Sequence, residues 1–255
     1  MSTTRTTPAS TDKQLKEQLE YLKLPAILAN YEQEASEAAA KQRSHLEYLA
    51  RLIETESAQR ADRSTERRIK LARFPVIKTL GEFQWSWPAK INRLQIEDLF
   101  RLGFVAQKGN VIILGGVGLG KTHLCTALGY AACLRGHSVL FTSAIDIINS
   151  LTAAQNTGKL KSELGKYLRA QVLIIDELGY LPIDTNGANL LFQVISQRYE
   201  RGSIILSTNK PFKKWPDIFN NDSTLTSAVL DRLLHHAEAV VIEGKSYRMK
   251  DQTEV

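Results

Sequence analysis

Two cysteines in 255 residues, Cys125 and Cys133, are too few for a disulfide framework. Neither stands in a Cys/His spacing that would hold zinc, and both fall within one short stretch. They read as buried thiols in a reducing compartment. Long apolar runs are also missing. Polar residues interrupt every hydrophobic stretch well short of a membrane span, so no membrane partner is expected. Residues 1–12 are mostly Ser and Thr with no apolar centre, which excludes a secretory signal and reads as a disordered tail.

The remaining composition is that of a globular protein, 43 % hydrophobic and 24 % charged. The length allows one full core and a smaller second unit. The formal net charge is +6, which admits a polyanionic partner without specifying one.

The organising stretch is Gly115-Gly116-Val117-Gly118-Leu119-Gly120-Lys121-Thr122, a full match to the phosphate-binding pattern Gly-x4-Gly-Lys-Ser/Thr. Val111–Leu114 before it is a short apolar, β-branched run, read as a strand. Thr122–Leu134 after it has no proline and reads as a helix. The glycines let successive N–H groups turn toward one anion, and the helix N-terminus adds partial positive charge. Lys121 is expected on the β- and γ-phosphates and the Thr122 hydroxyl on Mg2+.

Ahead of this core, Leu15, Leu19 and Leu22 recur at helical spacing, Pro25 opens a second helix, and Leu46, Leu49 and Ile53 mark a third. Arg60, Arg63, Arg67 and Lys70 share one face of a predicted helix. A solvated face and a contact to phosphate backbone both fit that strip. The aromatic-rich stretch 80–88 serves either for core packing, the favoured reading, or to border a nucleotide base. From Val111 onward, strands alternate with helices, so a parallel sheet is expected. Its predicted strands are Val111–Leu114, Ser138–Thr142, Val172–Ile175, Ile204–Ser207 and Val240–Glu243. The last is expected to return as a hairpin through Gly244-Lys245 to Tyr247-Arg248-Met249.

Val172–Ile175 runs into Asp176-Glu177. Asp176 is expected to hold Mg2+ opposite Thr122, and Glu177 to orient and deprotonate water, which favours hydrolysis over transfer to a substrate hydroxyl. Ser207-Thr208-Asn209 ends the next strand, placing a polar side chain beside the γ-phosphate. Asn209-Lys210 begins like the guanine-selecting Asn-Lys-x-Asp, but position 212 is Phe, which favours ATP over GTP. Arg232 is expected near the middle of a helix.

Together, Gly-Gly-Val-Gly-Leu-Gly-Lys-Thr-His-Leu (115–124), Leu-Ile-Ile-Asp-Glu-Leu-Gly-Tyr-Leu-Pro (173–182), Ser-Thr-Asn (207–209) and Asp-Arg-Leu (231–233) resemble the DnaC/IstB branch of the AAA+ ATPases. Residues 54–56 and 67–75 are similar to IstB, as is Tyr180-Leu181-Pro182, so the resemblance covers nearly the whole chain. It implies an α/β fold: an AAA+ P-loop core with a five-stranded parallel sheet flanked by helices, with a small all-α N-terminal domain. The chain departs from many AAA+ proteins in that the residues after the last predicted strand are too few for a C-terminal helical lid, so none is expected. The expected division is a tail over 1–12, a helical domain over 13–78, a linker over 79–110 and the ATPase domain over 111–255.

The resemblance further implies a bacterial cytoplasmic helper of insertion-sequence transposition that hydrolyses ATP with Mg2+. Such a helper self-associates with ATP, binds duplex DNA and stimulates a transposase; a DnaC-like helicase loader is the alternative. The implied nucleotide contacts are Gly116, Val117, Gly118, Leu119, Gly120, Lys121, Thr122, His123 and, weakly, Arg248. Glu177, Lys121, Asn209 as sensor and Arg232 as a finger across a subunit interface carry catalysis. Thr122 and Asp176 hold the metal. DNA candidates are Arg60, Arg63, Arg67 and Lys70, with Lys159, Lys161 and Lys166 on extra helices over Ala144–Arg169. The contact is expected to be to backbone and sequence-independent, since no base-reading module is present.

Overall fold

The computed structural model describes residues 8–247. Three helices come first: α1 (Pro8–Tyr21), α2 (Pro25–Ala40) and α3 (His45–Ala72). α1 starts inside the stretch expected to be a tail. Proline serves as a first helical residue, so the helical pattern extends back to Pro8. The Ser44 hydroxyl accepts from the Glu47 N–H at 3.2 Å while the Glu47 carboxylate accepts from the Ser44 N–H at 2.8 Å, the reciprocal cap that opens α3.

The chain divides into two compact units between Glu66 and Arg67. In the first, Leu19, Ile27, Tyr31 and Leu52 form a small core. α2 has no side-chain cap from its own N-terminus. Instead the buried Glu56 carboxylate on α3 accepts from the Ala26 and Ile27 N–H groups at 2.9 and 3.3 Å. An anion at that end also meets the positive pole of the helix.

The second unit begins at Arg67, in the last turns of α3, which ends at Ala72. Arg73 takes φ 59° and Phe74-Pro75 prevents continuation. The stretch expected as a linker, 79–110, contains helical turns: a 3₁₀ turn at Leu80–Glu82, α4 (Arg93–Leu99) and α5 (Gly103–Ala106). Asn92 caps α4 through its side chain, and Ile96, Leu99, Phe104 and Val105 are buried against the sheet's core. Both helices are shorter than the window in which helical periodicity becomes legible.

The sheet follows: β1 (Asn110–Gly115), α6 (Lys121–Leu134), β2 (Val139–Ser143), α7 (Ala144–Asn156), α8 (Leu160–Arg169), β3 (Val172–Leu178), α9 (Thr185–Arg198), β4 (Ser203–Thr208), α10 (Ser223–Leu234) and β5 (Ala237–Ile242). Its order is β2-β3-β4-β1-β5, all parallel. Helices on both faces bury two apolar clusters against it. The expected hairpin after β5 is replaced, within the described residues, by an antiparallel bridge from Glu243 to Lys90. The next residues lean on the phosphate loop instead, where the Tyr247 N–H donates to the Gly118 carbonyl at 2.9 Å.

Arg198 is fully buried without a carboxylate. Its guanidinium donates to the carbonyls of Tyr167, Ala170, Gln171 and Ser203 at 2.7–3.1 Å, pinning the end of α8 to the start of β4. No helix among the described residues is long and apolar enough to cross a membrane.

Candidate active site

Ligands in parallel sheets of this kind bind beyond the carboxyl ends of the strands, and four strand ends supply the polar groups here. β1 delivers the glycine loop. Gly118 and Gly120 hold φ of 74° and 85°, in the left-handed region. A Cβ at Gly120 would stand 2.7 Å from the Phe83 ring, and one at Gly118 would collide with Ser246. The loop is therefore packed from outside by residues of distant segments. Leu119 is its buried anchor and Val117 is exposed.

Lys121 opens α6. Its ammonium donates to the Gly116 carbonyl at 2.7 Å, across the mouth of the loop, and lies 5.9 Å from the Tyr180 ring centroid. The Thr122 hydroxyl donates to one Asp176 oxygen at 2.9 Å. The other Asp176 oxygen accepts from the Ser207 hydroxyl. Ser207 Oγ in turn accepts the Glu177 N–H at 2.9 Å.

This pattern arises from a bulge in β3. Ile175 pairs Leu206 and Leu178 pairs Thr208, so Asp176 and Glu177 together face Ser207. Glu177 absorbs the extra residue at φ 60°, a conformation uncommon outside glycine. The result is that Asp176 is buried beside Thr122 while Glu177 is exposed in the same cleft. Asp176 and Thr122 present hard oxygen donors, the set that suits Mg2+.

The cleft has a volume of about 380 Å³. On one side it carries Gly118, Gly120, Lys121, Thr122, His123 and Glu177. On the other stand the rings of Phe83, Trp87 and Tyr247. Phe83, from the aromatic stretch, is buried in the core and also faces the cleft. Trp87 and Tyr247 meet edge-on at 5.4 Å, and Trp87 Nε1 donates to the Lys245 carbonyl at 2.9 Å. His123 is fixed by the Thr79 carbonyl, 2.8 Å from Nε2. Nearby, the Thr79 backbone N–H holds the Glu82 carboxyl below its ordinary pKa.

Asn209 lies just past β4, lining an adjoining groove with Gly115 and Gly116. Its side-chain oxygen is buried and has no hydrogen-bond partner among the described residues. Arg232 is elsewhere. It sits near the C-terminal end of α10 rather than its middle, donating to the Ala228 carbonyl at 2.9 Å and covering the Phe192 ring. It shares a small cavity with Asn110, the first residue of β1. The length of β1, at about 3.3 Å per residue, separates that end from the phosphate loop by roughly 20 Å. Arg248 lies outside the described residues.

Among the basic candidates, Arg60 is tied inward, to Glu56 at 3.2 Å and the Lys23 carbonyl at 2.7 Å. Arg63, Arg67 and Lys70 are exposed, with Arg63 bonded to Gln59. Lys159 and Lys161 are exposed at the start of α8, whereas Lys166 is half-buried and paired with Glu163 at 2.9 Å.

Residues 17–255 match the family described as IstB-like ATP binding protein. The chain belongs to that family. A Geobacillus stearothermophilus protein named as a putative ATP-binding protein of insertion sequence IS5376 is 40% identical over 231 residues, 91% of this chain and 92% of the relative. A Pseudomonas aeruginosa relative named for insertion sequence IS21 is 40% identical over 234 residues, 92% of this chain and 88% of its own. Among solved structures, the replication initiator DnaA bound to AMPPCP and single-stranded DNA is 25% identical with a TM-score of 0.54, covering 69% of this chain and 53% of that one. The DnaC helicase loader, 24% identical, shares the fold at a TM-score of 0.53 over 65% of this chain and 96% of its own. The IstB-like chain thus has the AAA+ P-loop fold, and its sequence motifs and cleft are those of an ATP-binding protein.

Sequence reasoning singled out Lys121, Thr122, Asp176 and Glu177, and the structure brings all four together. It passed over Ser207 as an individual residue, although Ser207 holds both acidic residues of the bulge. The only sequence signal was a hydroxyl residue at the end of an apolar strand. Tyr180 and Trp87 were likewise visible only as a motif neighbour and a linker aromatic, and Tyr247 only as part of the expected hairpin.

Proposed function

We propose that this chain is an ATP-hydrolysing helper of insertion-sequence transposition that assembles on duplex DNA, presents it as target and stimulates a partner transposase. The observation that carries the reading is the bulge at Asp176-Glu177 facing the phosphate loop, in a chain 40% identical to proteins named for insertion sequences. Lys121 would leave the Gly116 carbonyl for the phosphates. Thr122 and Asp176 would hold Mg2+, which when bound neutralises phosphate charge. Glu177, exposed and aimed by the bulge, would take the proton of the attacking water. Asn209 would use its unpartnered oxygen to position that water. Phe83, Trp87 and Tyr247 would take the base.

Arg232 is too far from its own phosphate loop to serve it, which supports a role in the site of a neighbouring subunit. ATP binding and self-association would then be coupled. Contacts to DNA would come from exposed basic side chains such as Arg63, Arg67, Lys70, Lys159 and Lys161, and would be to phosphates. Arg60 and Lys166 are weaker candidates because each already has an internal partner.

The test is binding to long random-sequence DNA, duplex against single-stranded, with ATP, ADP or no nucleotide, at two salt concentrations. ATP-dependent, salt-sensitive binding to duplex is expected. Preference for single strands, or no binding without another protein, would overturn the reading and point to helicase loading.

A further inference from the structure

At the opposite end of the sheet from the phosphate cleft, three metal-ligating side chains meet. Glu200 follows α9, His235 is the C-cap of α10, and His236 leads into β5. One donor atom from each lies within 4.8 Å of the other two, and all three side chains are exposed. In a tetrahedral site with bonds of about 2.0–2.2 Å, ligand atoms stand roughly 3.3–3.5 Å apart, so small side-chain rotations close the set.

The backbone beneath them is fixed. The His236 carbonyl accepts the Asn110 N–H at 2.7 Å, and the His235 N–H donates to Asp231 at 3.2 Å. Glu200 is held at φ 58°, left-handed without being glycine, in the tight turn before β4. The two imidazoles lie 4.1 Å apart between centroids, tilted by 46°. The Tyr199 hydroxyl, 2.7 Å from His235 Nδ1, orients that ring and also interacts with Glu200. Such a partner behind a ligand is what fixes the orientation of metal-binding histidines.

We propose that Glu200, His235 and His236 form a site for a divalent transition-metal ion of the Zn2+ class, distinct from the Mg2+ position at Thr122 and Asp176. Two imidazoles and one carboxylate suit a borderline ion, whereas Mg2+ and Ca2+ take oxygen ligands. The bound ion would tie the turn after α9 to the junction of α10 and β5, one helical turn from Arg232.

The experiment titrates untagged, nucleotide-free full-length protein with Co2+ in millimolar Mg2+, following the visible absorption of the bound ion, then displaces it with Zn2+. One Co2+ per chain is expected, bleached by one equivalent of Zn2+, in both the wild type and Asp176→Asn. His235→Ala, His236→Ala and Glu200→Gln should each weaken binding by about tenfold or more, with circular dichroism unchanged. His236 alone of the three is tied to the start of β1, through its carbonyl, so the His235 and Glu200 variants decide the matter if His236→Ala misfolds. No Co2+ uptake by the wild type, uptake untouched by the ligand variants, or uptake lost in Asp176→Asn alone would overturn the proposal.

Discussion

Asp176 and Glu177 are adjacent carboxylates with different fates, and Ser207 is the cause. Its hydroxyl donates to Asp176 and accepts from the Glu177 backbone, so one side chain stays buried while the next turns out. Glu177→Gln should therefore leave ATP binding intact and lower the hydrolysis rate by about 10²–10⁴. Fluorescent-nucleotide binding and phosphate release measured on one preparation check this, and wild-type turnover would remove Glu177 from the chemistry. The two thiols make a second residue-scale case. Burial pushes the Cys133 thiol up to about 11 and holds the Cys125 thiol well above its ordinary value. Both should resist alkylation at pH 8 until the protein unfolds. Because the folded pKa lies above the unfolded one, the protonated thiols favour the folded state below about pH 9, and for Cys133 that contribution is lost as pH rises through about 11. Alkylation kinetics in native buffer and in denaturant, read by mass, test the burial directly.

Among the elements, α2 shows how a helix without a local cap obtains one from thirty residues away. Glu56 takes two otherwise unpaired N–H groups, and Arg60 holds its other oxygen at 3.2 Å. Glu56→Ala should destabilise the N-terminal unit by about 1.5–3 kcal/mol, the range for hydrogen bonds to a charged group. Hydrogen exchange at Ala26 and Ile27 reads this locally, and unchanged protection would refute it. Arg198 does the same work between α8 and β4. Arg198→Leu would remove four hydrogen bonds to carbonyls, of which that of Gln171 keeps the Ser203 N–H as a partner, and should cost on the order of 3 kcal/mol in stability, seen as a lower unfolding midpoint in denaturant.

Across the whole molecule, the phosphate loop and Arg232 stand at opposite ends of one sheet. If Arg232 completes a neighbour's site, Lys121→Ala and Arg232→Ala should each be inactive alone. Mixing the two should restore a fraction of ATPase activity, because some interfaces then pair an intact loop with an intact arginine. No recovery on mixing, in assemblies shown by sedimentation to contain both variants, would place Arg232 outside catalysis.

Short-range rules sufficed for much of this protein. The phosphate loop, the strand before it, the helix after it and the Asp-Glu strand end are each written in consecutive residues, because each depends on local backbone geometry and charge. Alternating strands and helices likewise announced the parallel sheet. Other features depend on residues far apart in the chain. Strand order, the bulge that separates Asp176 from Glu177, the Glu56 cap of α2, the Arg198 bolt and the meeting of Glu200 with His235 and His236 all come from tertiary packing. So does the contact of Phe83 and Ser246 with the glycine loop. None has a period or a motif, since what selects each partner is the space and the unpaired polar group left by the folded chain.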